Sequence, residues 1–347
     1  MLKRVFLVLL SVMLALFVPI NTYAAQCSAV SAIVVDADTM TILYEKNAFA
    51  QRPMASTTKI MTALLALENG KMDETVTITS KMVQTEGSAL GLKAGDKLTF
   101  YDLIVGMMLT SGNDAANSVA VLISGSIEAF AELMNKRASE IGMKNTLFVT
   151  PSGLDEGAHH STAYDMALLT SYALKFETFC DIVSKSSAEI KISGKPLTVY
   201  NHNKLLGYDK SYFGVKTGYT SKAGRCLVSA KKYKGNKLIC VTLSAPDDWN
   251  DHVNLYKEAM SKYKKASISS TLEFNAVGGE KNTFTGSYDK EYYFCTDAKF
   301  RVYYRPFYYA PINKGDKIGE VWVYNNNKLV ERLPIEADED VNYGRKE

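Results

Sequence analysis

Ser56 and Lys59 stand three residues apart at the head of an apolar stretch in which Ile60, Met61, Leu64, Leu65 and Leu67 recur at helical spacing. On a helix, residues three apart share a face, so these two side chains can approach hydrogen-bonding distance. A serine hydroxyl becomes a competent nucleophile when a neighbouring base removes its proton, and a helix N-terminus adds positive potential that favours a developing oxyanion. The pair therefore points to covalent acyl transfer, with Ser56 as nucleophile and Lys59 as base. Lysine normally titrates near ~10.4, so a neutral base near pH 7 requires its charged form to be destabilised by roughly 4 to 5 kcal/mol. Burial and a second nearby cation can do this, and Lys216 is the candidate cation.

Two further short motifs follow in order, Ser111-Gly112-Asn113 and Lys216-Thr217-Gly218. Ser111 and Asn113 lie on the turn-forming run Thr110 to Asp114, placed to hold Lys59, pass protons and hydrogen-bond a substrate amide. Lys216-Thr217-Gly218 closes a β-prone run, and its glycine lets a peptide backbone lie against the strand edge. Thr217 and Thr220 offer hydroxyls for a terminal carboxylate. Each motif alone is common in a chain of this length; their order and context carry the reading.

Elements must bring these groups together. Ala29 to Asp36 and Met40 to Glu45 predict a β-hairpin around the turn Asp36-Ala37-Asp38-Thr39. The helix headed by Ser56 stops at Asn69-Gly70. Helices are also predicted over Leu98 to Leu109, Ala115 to Ile123, Ala129 to Ile141 and Ala163 to Phe176. Phe213 to Lys216, Cys226 to Lys231 and Lys237 to Leu243 predict strands, with Tyr233-Lys234-Gly235-Asn236 as a hairpin turn. A helix over Val253 to Tyr263 closes an α/β (α+β) layered domain. Beyond about Ser267 the chain is strand-like and rich in tyrosine, which predicts a separate small all-β domain whose aromatic residues mainly pack its core.

The first residues read as a secretory signal peptide: a basic Met1 to Arg4, an apolar run Val5 to Val18 and a small-residue site for cleavage after Ala24. The protein is accordingly expected outside the cytoplasm, in the cell envelope or secreted. The 347 residues are divided as signal 1–24, catalytic domain 25–265 and a β-sandwich domain 266–347. A net charge of +3 with interspersed signs argues against a nucleic-acid partner. The cysteines Cys27, Cys180, Cys226, Cys240 and Cys295 form no disulfide scaffold or metal-ligand spacing and are expected to be mostly buried thiols. Ala24-Ala25-Gln26 lacks the residues preferred for lipid attachment to Cys27. The tail from Ala337 lacks an apolar face, so a C-terminal membrane anchor is not expected.

The segments Ala55 to Ala63, Met108 to Ala116, Gly214 to Thr220 and His160 to Met166 resemble the low-molecular-mass D-alanyl-D-alanine carboxypeptidases, the S11 family of penicillin-binding proteins. With the appended β-domain, the resemblance covers nearly the whole mature chain. It implies a serine β-lactamase/transpeptidase-like domain, an antiparallel sheet packed with helices. It further implies removal of the terminal D-alanine from peptidoglycan stem peptides and acylation of Ser56 by penicillins, with neither metal nor cofactor. The backbone N–H groups of Ser56 and Tyr219 would form the oxyanion hole, and His160 would shape the site or support deacylation. One departure stands out. Relatives often place a carboxylate-binding arginine after the strand ending near Leu243, whereas Ala245 to His252 contains none, leaving Thr217, Thr220, Lys216 or an unidentified group for that task. A β-lactamase and a slow-turnover penicillin- or peptidoglycan-binding module are the alternatives; no Glu-x-x-Leu-Asn segment of the class A β-lactamase kind lies between the second and third motifs.

Overall fold

The structure, a computed structural model, describes residues 27–344. The predicted signal segment, residues 1–24, lies outside them. A five-stranded antiparallel sheet of order β2-β1-β9-β8-β7 forms the centre, built from β1 (Ser31–Asp36), β2 (Ile42–Lys46), β7 (Tyr212–Thr220), β8 (Gly224–Tyr233) and β9 (Asn236–Leu243). Both faces are covered, which explains why β1 is an almost unbroken apolar run. Its Ile33 and Val35 join the core made with the helices, while Ala32 and Val34 join a second core on the opposite face.

The large core is filled by α1 (Lys59–Asn69), α2 (Phe100–Thr110), α3 (Asn113–Ser124), α4 (Ile127–Ile141), α5 (Ala163–Ala173) and α6 (Glu177–Ser184). A short 3-10 turn, Ala55–Thr58, leads into α1, so Ser56 sits where the chain enters the helix. On the other face, Leu255, Tyr256 and Ala259 of α7 (Asp248–Ser261) pack on Leu227 and Cys240. Strands β3 (Thr75–Thr77) with β4 (Lys97–Thr99), and β5 (Ser187–Ile192) with β6 (Lys195–Tyr200), make two peripheral ribbons.

Most predicted elements are present, with shifts that have local causes. The helix predicted from Leu98 begins at Phe100, because Thr99 accepts the Asp102 N–H as an N-cap at 3.0 Å and Leu98 pairs with Val76 in a strand. The last helix of this region starts at Asp248, not Val253: Asp248 and Asp251 sit in its first turn, where carboxylates suit the helix dipole, ahead of the apolar periodicity. β7 runs on to Thr220, so the Lys216-Thr217-Gly218 motif lies within a strand at the sheet's open edge. The helix α6 and the β5–β6 hairpin were not predicted.

From Lys264 the chain is all β: β10 (Lys264–Val277), β11 (Thr283–Phe294), β12 (Ala298–Tyr304), β13 (Tyr308–Tyr309), β14 (Lys317–Asn325) and β15 (Lys328–Ala337). They hydrogen-bond in one six-stranded order, β12-β14-β15-β11-β10-β13, which folds back on itself so that Phe274 of β10 meets Tyr304 of β12 with ring centres 5.2 Å apart. Phe274, Phe284, Ile318, Val321 and Ile335 share its core. The five thiols are free; Cys226 and Cys240 are buried and the other three half-buried. Among the described residues no single helix is long and apolar enough to cross a membrane.

Candidate active site

The Lys59 side chain is fully buried, and its Nζ meets three oxygens: Ser56 Oγ at 2.9 Å, Asn113 Oδ1 at 2.7 Å and the Ser152 carbonyl at 2.7 Å. An ammonium has three donors, so this cage satisfies the charged form; in the neutral amine two N–H bonds go to the carbonyl oxygens and the lone pair faces Ser56 Oγ. That is the geometry a general base requires. Burial drives the lysine pKa well below its ordinary value, the Lys216 cation pushes it further, and Asp114 partly opposes them. Lys216 itself is pushed down to about 7 by burial, and its Nζ donates to the Thr217 carbonyl at 2.9 Å.

Each partner is positioned by its own element. Ser111 ends α2 in the left-handed region at φ 62°, and Gly112 then opens α3, so Asn113 is delivered at a helix start. A left-handed non-glycine residue costs energy and here turns the chain sharply at the site. The Asn113 amide is fixed from both sides, with Oδ1 on Lys59 and Nδ2 donating to the Glu86 carbonyl at 2.7 Å. Asp114 accepts from the N–H groups of Leu90, Gly91 and Leu92, tying that segment to the start of α3 beside Ser88, which lines the cleft. The Ser152 carbonyl reaches Lys59 because Gly153, at φ +86°, lies against the Ala55 carbonyl, which a Cβ there would meet at 1.9 Å.

An open cleft of about 320 Å³ fronts this cage, lined by Ser56, Ser88, Ser111, Thr217, Tyr219 and Arg225 among others. β7 forms one wall. A Cβ on Gly218 would lie 2.9 Å from Ser56 N and 3.1 Å from Thr57 N, so only a glycine lets the strand approach the helix start this closely. A larger depression, about 530 Å³, lies in the C-terminal sheet and is lined by Phe307, Tyr308 and Tyr309, but no serine or histidine borders it.

Ser56, Lys59, Ser111, Asn113, Lys216, Thr217, Gly218 and Tyr219 are thus brought together. Asn113 and the Ser152 carbonyl, not Ser111, complete the lysine cage. Thr220 is drawn into the β7–β8 turn, its hydroxyl accepting the Ala223 N–H at 3.0 Å. His160 does not line the cleft; it pairs with Leu147 through the backbone. Its neighbour His159 is the buried one. Val149 N–H donates to His159 Nδ1 at 2.9 Å, which leaves Nε2–H to donate to Thr58 Oγ1 at 2.8 Å. Burial pushes His159 down to about 4, so it braces the Ser56 turn as a neutral ring. Two contributors carry no sequence signal: Ser152, which acts through its backbone carbonyl, and Arg225, which only the pairing of β7 with β8 brings to the cleft. His202 and Lys204 also line the cleft unannounced by any pattern.

Comparison with known proteins agrees with this geometry. A family model described as D-alanyl-D-alanine carboxypeptidase, Peptidase_S11, matches residues 19–247. The D-alanyl-D-alanine carboxypeptidase DacF of Bacillus subtilis is 32% identical over 96% of this chain and 93% of its own. DacD of Escherichia coli is 28% identical over 94% and 90%. Among solved structures, the D-alanyl-D-alanine carboxypeptidase DacD of Francisella tularensis superposes with a TM-score of 0.63 at 26% identity, covering 92% of this chain and 95% of that one. The Streptomyces K15 DD-transpeptidase gives 0.65 at 32% identity, covering 68% of this chain and 98% of that one. With its serine–lysine pair at the mouth of an open-edged antiparallel sheet, the chain belongs to the D-alanyl-D-alanine carboxypeptidase family, peptidase S11, and is a serine hydrolase.

Proposed function

We propose that this hydrolase removes the terminal D-alanine from peptidoglycan stem peptides ending in D-Ala-D-Ala, through an acyl-enzyme on Ser56. The observation that carries the reading is Lys59 Nζ, caged by two carbonyl oxygens with its remaining position facing Ser56 Oγ at 2.9 Å. Neutral Lys59 takes the Ser56 proton as Oγ attacks the penultimate D-alanine carbonyl, and that proton then passes to the departing amine of the terminal D-alanine. Water next attacks the ester, and Ser56 recovers its proton. Ser111 lines the cleft as a proton conduit. The N–H groups of Ser56 and Tyr219 hold the oxyanion, a task for which each donor is worth about 3 to 4 kcal/mol. The close approach of Gly218 to Ser56 N supports that pairing.

Penicillins enter the same cleft and acylate Ser56 as covalent inhibitors. The segment 1–24 serves export, so the reaction takes place outside the cytoplasm. Residues 25–265 form the peptidase unit and 266–347 an appended β unit, a division supported by their separate cores and sheets. The test is D-alanine release from a D-Ala-D-Ala peptide by residues 25–347 beside the Ser56→Ala variant. Release confined to the parent supports the reading. A folded parent that binds penicillin covalently yet releases nothing makes the protein a slow-turnover binding module instead.

A further inference from the structure

The segment directly after β9, Ala245 to His252, contains no arginine, yet a guanidinium reaches the cleft from another strand. Arg225 lies on β8 directly opposite Tyr219 of β7, one residue beyond the pair Gly218 and Cys226. Opposed residues of antiparallel strands share a face, and Thr217, two positions from Tyr219, shares it too. Arg225 therefore stands beside the stretch of strand edge on which a peptide bound at Ser56 would place its last residue.

The guanidinium is held in place. Its Nε and Nη2 both donate to Asp248 Oδ1, at 3.0 and 2.6 Å, and its Cζ lies 5.6 Å from the centre of the Trp249 ring. Asp248 is almost fully buried, with 3% of its side chain exposed, whereas Arg225 keeps 42% exposed. The carboxylate acts as the anchor and the arginine as the presented group. Among the described residues, no protein acceptor is recorded for Nη1. An arginine fixed on one edge and a ring face, with its remaining N–H groups open to a cleft, is preorganised to accept a carboxylate.

We propose that Arg225, positioned by Asp248 and Trp249, binds the free terminal carboxylate of the substrate together with Thr217, and so makes this enzyme an exopeptidase that rejects chains continuing past the scissile bond. The proposal rests on the carboxypeptidase reading above and adds the residue that sets its specificity. A cross-linked stem carries an amide where the carboxylate would be and offers Arg225 no charge.

The test compares two peptides that differ only in ending as D-Ala-D-Ala carboxylate or as its primary amide. The parent enzyme should prefer the carboxylate by roughly 10- to 100-fold in kcat/KM, the range for hydrogen bonds to a charged group. In Arg225→Ala that ratio should collapse toward one, and in Arg225→Lys, which keeps a cation opposite Asp248, it should fall to an intermediate value. A parent with no preference, or an Arg225→Ala variant with the parent's ratio, overturns the proposal; a poorly folded Arg225→Ala, seen by circular dichroism, leaves Arg225→Lys to decide. If the parent cleaves neither peptide, the carboxypeptidase reading fails by itself. Acylation by benzylpenicillin against its methyl ester then tests the subsite alone, and an ester-to-acid ratio unchanged by the Arg225 substitutions refutes it.

Discussion

Two serine–base pairs lie on opposite sides of the central sheet, and only one is a site. At the cleft, Lys59 faces Ser56 at 2.9 Å. Behind β8, Ser229 Oγ lies 2.7 Å from His252 Nδ1, an equally good distance for a nucleophile and its base. His252 Nε2 meets Thr242 at 2.9 Å, and Ser229 also meets Tyr256 at 2.9 Å, so the second cluster is closed on itself. Ser229, Thr242, His252 and Tyr256 are all completely buried, roofed by α7, whereas Ser56 is half-buried and borders an open cleft. Separation alone therefore does not identify a nucleophile. Access for substrate and donors for the developing charge do, and the rear cluster contributes stability instead.

The largest effect that could break this contrast is removal of each serine. Ser56→Ala should abolish the penicillin adduct seen by intact mass and lower D-alanine release by on the order of 10⁴-fold or more. Ser229→Ala should retain the adduct but lose about 1 to 3 kcal/mol of stability, because it leaves buried partners unpaired. An adduct on Ser56→Ala would place the nucleophile elsewhere. Next in size, Lys59→Ala should slow acylation by about 10² to 10⁴-fold, and labelling at the parent rate would remove the lysine from the mechanism.

A subtler test uses the neighbouring cation. Acylation needs neutral Lys59, so its rate should fall as pH drops through the depressed pKa of that lysine. Lys216→Gln removes a cation that holds this pKa down, so the acid limb should move to higher pH; a limb that stays put or moves the other way contradicts the coupling. The smallest effect belongs to the rear cluster. Burial pushes His252 down to about 3, whereas an unfolded histidine titrates near ~6.5, so the unfolded chain takes up the proton first as pH falls. This contribution to stability is intact above ~6.5 and declines toward about 3, by about 2 kcal/mol between pH 7 and pH 5. Denaturant unfolding at both values should show His252→Gln to be less sensitive to acid than the parent by that amount.

The chemistry was more legible in the sequence than the cage around it. Ser56 and Lys59 announce themselves because a three-residue spacing on an apolar helix is a local signal. The Ser152 carbonyl carries no side-chain identity, and its role depends on Gly153 folding against Ala55. Arg225 escaped notice because only the β7–β8 register reveals that it faces Tyr219. The β5–β6 hairpin is largely exposed, with Ile190 and Val199 its buried positions, so its alternation is weak. In the C-terminal region the strands were visible, but their union into one sheet depends on long-range pairings such as Gly286 with Ala337.

Asn113 holds the base with one end of its amide and the 86–92 segment with the other. A single rigid plane thus joins the segment that carries Ser88 into the cleft to the proton acceptor beside Ser56. An occupant that displaced this segment would pull on the group that orients Lys59, and by linkage the protonation of Lys59 would then bias how firmly the segment is seated. The wall of the cleft and the base within it thus share one amide as their common hinge.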